Sequence, residues 1–155
     1  MAALDVVGSL GNLKTMLSGL TTWQTLCGGA TEASLRIYKG GTEETSETLT
    51  PCIFLDFSSL PTNWIGGRLT GRLTYEIRCE FPIPADNRAT YEDEYIYAWT
   101  QLAGILDGIN SNVNGAAGAM IDSLEVSTPP GRVAREPNKG RTEWGFILAM
   151  TVKFI

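Results

Sequence analysis

Arg68-Leu69-Thr70-Gly71-Arg72-Leu73-Thr74-Tyr75-Glu76-Ile77-Arg78-Cys79-Glu80-Phe81 decides the fold. Leu69, Leu73, Tyr75, Ile77, Cys79 and Phe81 alternate with Thr70, Arg72, Thr74, Glu76, Arg78 and Glu80. Side chains on a strand point to opposite faces in turn, so this pattern predicts a long strand with one buried and one wet face. Antiparallel sheets covered on one side have that signature. Gly71 falls on the apolar face and marks an expected bulge or close approach.

Working outward, Pro82-Ile83-Pro84 stops the strand and a helix follows. Tyr91, Tyr95, Ala98, Leu102, Ile105 and Ile109 share its expected buried face, widened by Trp99 and Leu106. Glu92, Asp93 and Glu94 lie in the first turns, where the helix dipole favours negative charge. Met120 to Thr128 predicts another strand, broken by Pro129-Pro130-Gly131. The chain closes on Thr142 to Ile155, with Trp144, Phe146, Leu148, Met150, Val152 and Phe154 on one face. Ile147 and Ala149 make its other face partly apolar, as in a central strand or one that meets another subunit.

On the N-terminal side, Val6, Leu10, Leu13, Leu17 and Leu20 recur at helical spacing. A short extra turn over Thr22 to Cys27 is closed by Gly28 and Gly29. Leu35 to Tyr38 and Pro51 to Phe57 read as strands. The order is α-β-β-β-α-β-β. Grouped rather than alternating elements predict an α+β class, a mainly antiparallel sheet packed against two helices. At 155 residues the chain fits one domain over 1–155.

The chemistry-bearing residues are sparse. The chain has no histidine, which removes Ser-His-Asp and Cys-His activation and the commonest transition-metal ligand. Its three cysteines fall short of an all-thiolate zinc site and include no CxxC. An odd count of separated thiols fits a reducing compartment. Among carboxylates, Glu76 and Glu80 read as the solvated face of the long strand, and Glu92 to Glu94 as dipole compensation. Asp56 has no sequence-local partner. Gly40-Gly41 and Gly66-Gly67 lack the continuation of a phosphate loop and read as turns. The expectation is a non-enzymatic protein without metal or cofactor.

Acids outnumber bases 17 to 12, for a net charge of −5, which argues against a protein that coats nucleic acid. No apolar run is long enough for a membrane span. The start, MAALDVVGSLGNL, lacks the basic segment of a secretory signal, so folding in a cytoplasm is expected.

Two loops of opposite charge stand out. One carries Glu43, Glu44 and Glu47; the other carries Arg132, Arg135, Lys139 and Arg141, with Glu136 its one acid. They read either as solvated loops or as the two halves of a head-to-tail contact that closes a ring. The basic loop could also dock on an acidic protein tube or approach DNA in a channel. Trp64-Ile65 is a bulky apolar pair at an expected loop tip, either a lid over the domain's own core or an anchor for a partner.

The run from the N-terminal helix through Trp23-Gln24-Thr25-Leu26-Cys27-Gly28, Leu35-Arg36-Ile37-Tyr38 and Pro51-Cys52-Ile53-Phe54-Leu55, then the long strand, the helix with Trp99 and the closing strand, resembles the tail terminators of tailed bacteriophages. The resemblance covers nearly the whole chain and rests on architecture. It implies a virion protein of the tail or neck, made in the host bacterial cytoplasm. The family forms a ring, typically hexameric, that caps the head-proximal end of the tail tube, ends tube polymerisation and offers a surface for head-tail joining. The implied partners are further copies of the chain, the tail-tube protein and the head-closure or connector protein. DNA would pass through the ring without sequence-specific binding, and no membrane is involved. The alternatives are a head-closure or connector protein, a tail-tube subunit, or a small ligand-binding module using Trp64, Trp144 and Tyr75 as platforms. An enzyme of unknown type ranks below these.

Overall fold

The computed structural model describes residues 6–39, 50–112, 120–134 and 142–154. Their elements, in chain order, are α1 (Val6–Ser18), α2 (Thr21–Cys27), α3 (Ala30–Leu35), β1 (Ile37–Lys39), β2 (Cys52–Ser59), β3 (Thr62–Ile65), β4 (Arg68–Pro82), a 3-10 turn (Ala85–Asn87), α4 (Tyr91–Ser111), β5 (Met120–Val133) and β6 (Glu143–Phe154). The strands make one sheet in the order β1-β2-β4-β6-β5, with β3 also on β4. Among the described strands β1 and β2 run parallel and the other pairs are antiparallel. The class is α+β.

β4 is the spine. Leu73, Tyr75, Ile77, Cys79 and Phe81 are all buried, as their alternation predicts. Each faces its β6 partner in unbroken register, from Leu73 opposite Val152 to Phe81 opposite Trp144. Against this face pack Leu13, Leu17 and Trp23 from the N-terminal helices and Ala98, Leu102, Ile105 and Ile109 from α4. Each Leu or Ile so buried contributes roughly 2 kcal/mol. The Trp23 indole N–H donates to the Ala33 carbonyl at 2.9 Å, so this buried polar group is satisfied and ties α2 to α3. Gly104 and Gly108 of α4 leave room for α2 and its approach: a Cβ at Gly108 would meet Leu20 Cδ2 at 2.8 Å, and one at Gly104 would strike Thr22.

Several expectations are corrected. Among the described residues four α-helices take the place of the expected two, because the N-terminal region divides at Leu20 and again at Gly28 and Gly29. Gly28 has φ 85° and its N–H caps α2 by donating to Gln24 O. Leu35 ends a helix, is exposed, and the first strand begins two residues later. Gly71 pairs with Thr62 and Phe154 without a shift in register, so no bulge forms there. Pro129-Pro130-Gly131 does not end β5, which continues to Val133. β5 is an outer strand, so the prolines' missing N–H groups cost no second ladder, and the register slips between Thr128 and Gly131 to absorb them.

Glu80 is also corrected: it is buried rather than solvated, while Glu76 is exposed. The reason is its neighbour across the strand, Gly145, which lets the Glu80 stem close over the sheet. A Cβ at Gly145 would meet Glu80 Cγ and Val133 Cγ2 at 3.1 Å each, and Cys79 O at 2.7 Å.

Candidate interaction surfaces

The hairpin formed by β3 and the start of β4 projects from one end of the sheet. Gly66 and Gly67, with φ 59° and 77°, supply the two left-handed residues of its turn, a conformation that matches strand twist and that glycine adopts at low cost. All four β3 residues are exposed. Trp64 is 74 % exposed and Ile65 65 %. Trp64 therefore belongs to a strand rather than a loop, and it covers none of the core. From Phe57 through Tyr75 the sequence has no acid, and its charges are Arg68 and Arg72. Arg72 pairs with Asp122 at 2.8 Å.

The second surface lies on α4. Thr90 opens the helix with a reciprocal cap, its hydroxyl accepting from Asp93 N–H while the Asp93 carboxylate accepts from Thr90 N–H. The buried row is Glu94, Ala98, Leu102, Ile105 and Ile109. Tyr91, Tyr95 and Trp99, expected on that row, form the next one over and are exposed, with Ile96 beside them. An apolar stripe this wide cannot all face one sheet. Their rings interlock: Tyr95 lies 5.9 Å from Trp99, and Tyr91 5.4 Å from the buried Trp144. No Lys or Arg occurs between Arg88 and Arg132, and α4 carries Glu92, Asp93, Glu94 and Asp107.

Beneath this row, Glu94 accepts from Trp144 Nε1 at 3.0 Å and from Arg132 Nε and Nη2 at 3.3 and 2.9 Å. Burial pushes the carboxyl up, but the Trp144 and Arg132 hydrogen bonds and the Arg132 and Arg88 charges outweigh it, leaving it below its ordinary value. Arg132 also stacks 5.0 Å above the Tyr91 ring. It lies on β5 rather than in a loop. Sequence reasoning missed this centre because a glutamate in a first helical turn already has a local explanation. The partner of Glu94 is 38 residues away.

Of the remaining expected interface residues, Glu43, Glu44, Glu47, Arg135, Lys139 and Arg141 lie outside the described residues. Tyr75 and Trp144 are fully buried and offer no ligand platform. Open clefts are found among the described residues. One, about 530 Å³, lies among Leu26, Ile83, Arg88, Tyr97 and Gln101; another, about 310 Å³, lies over Arg78, Glu80 and Gly145 beneath the β5 bulge. Among the described residues no three His, Cys, Asp or Glu are grouped so as to hold a metal ion. No described helix is long and apolar enough to cross a membrane. Cys52 and Cys79 are buried. Burial pushes the Cys27 thiol up to about 12, with Arg36 opposing and Glu32 adding.

No family model and no curated protein matches the chain. Among solved structures, one without a functional name aligns with 97 % of this chain and 99 % of its own, at 14 % identity and a TM-score of 0.42.

Proposed function

We propose that the chain is a structural subunit of tailed-phage tails, a tail terminator that works as a ring on the last ring of the tail tube. The observation that carries the reading is the placement of two exposed apolar surfaces at opposite ends of one stiff sheet. The hairpin tip pairs with β4 at Leu69, and the α4 aromatic row stacks on Trp144, opposite Phe81. A single copy cannot bury one against the other. Large exposed apolar groups of this kind mark contact sites, and a contact between two different surfaces closes into a ring when the rotation between copies allows.

Capping is then occlusion. A ring seated on the tube covers the face where the next tube ring would add, and its far face meets the head's connector. No bond is made or broken, so the residues that matter are those that hold the ring and its two faces.

The test is negative-stain electron microscopy with native mass spectrometry over a concentration series, followed by addition of the protein to growing tail tubes. Closed rings that halt tube growth are expected. Long tubes of the protein alone would make it a tube subunit instead, and unaltered tube growth would sink the capping role.

A further inference from the structure

We draw no further inference here: the strongest candidate, the open cleft of about 530 Å³ between α2, the Pro82-Ile83-Pro84 segment and α4, is lined by an exposed Arg88 and the half-buried Tyr97 and Gln101 over an apolar floor, and nothing in the structure shows which class of ligand or partner fills it.

Discussion

Arg132 sets both arms of its guanidinium fork on the two carboxylate oxygens of Glu94, at 3.3 and 2.9 Å, joining an outer strand to the start of α4. The third contact to that carboxylate, from the Trp144 indole, comes from the neighbouring strand. One buried acid thus fixes the helix that carries the exposed aromatic row to the end of the sheet.

Removing one member of this centre should cost more than removing two. Arg132→Met leaves Glu94 buried with only the indole N–H, and about 1–3 kcal/mol of stability should be lost. The Arg132 side chain is half exposed, which keeps the loss below that of a fully buried pair. Adding Glu94→Gln to Arg132→Met should recover part of it. Denaturant titrations of the two single variants and the double variant give the coupling, expected at about 1–2 kcal/mol. A cycle with no coupling would contradict the bidentate pair. Charge reversal at Arg132 accordingly reports on the fold as well as on assembly, and is read beside a melting curve.

Acid should weaken the same centre. The folded-state value of Glu94 lies below its unfolded value, so its stabilisation is fully present above about pH 5 and is lost as pH falls through the folded value. The gap in melting temperature between the parent and Glu94→Gln should therefore be widest near neutral pH and narrow in acid. A gap that widens in acid would have the sign wrong.

Gly145→Ala should be among the most damaging small changes in the sheet. Its Cβ would meet Cys79 O, a main-chain atom, at 2.7 Å, so two strands must part, at a cost of about 2–3 kcal/mol. Gly131→Ala on the facing strand is the control: the nearest atom lies at 4.0 Å, and a change within about 0.5 kcal/mol is expected. Chemical denaturation of the pair distinguishes a close approach from a general intolerance of alanine.

The thiols should be silent until the fold opens. Cys52 and Cys79 are buried, and burial holds Cys27 as the protonated thiol at pH 8, where only the thiolate attacks. Iodoacetamide should label the native protein slowly and all three cysteines rapidly in denaturant. Fast labelling of Cys27 in the native state would contradict its packing.

The parts of the fold that sequence reveals are those where one side-chain period governs. Residues 68–81 alternate so cleanly that strand, length and buried face follow at once, and β6 gives the same answer. Where several local rules compete, sequence alone misleads. Tyr91, Tyr95 and Trp99 are apolar at helical spacing and read as core, yet the sheet has room only for the row of Ala98 and Leu102. Pro129 and Pro130 read as a stop, because their tolerance depends on β5 having one neighbour rather than two. Trp64 was legible as an odd residue but not as part of a strand, since β3 exists only by pairing with β4. The Arg132–Glu94 pair had no signal at all in a single sequence.

The two prolines of β5 have a further consequence for how copies can join. A strand at the rim of a sheet offers free main-chain groups to any extended segment that comes alongside, which is how sheets fuse and precipitate. Here one rim is interrupted by Pro129 and Pro130, which donate nothing, and the other is made of the three-residue β1 and the four-residue β3. Neither offers a long, regular template. In the proposed ring, such rims would steer association away from indefinite sheet growth and toward side-chain contacts between copies.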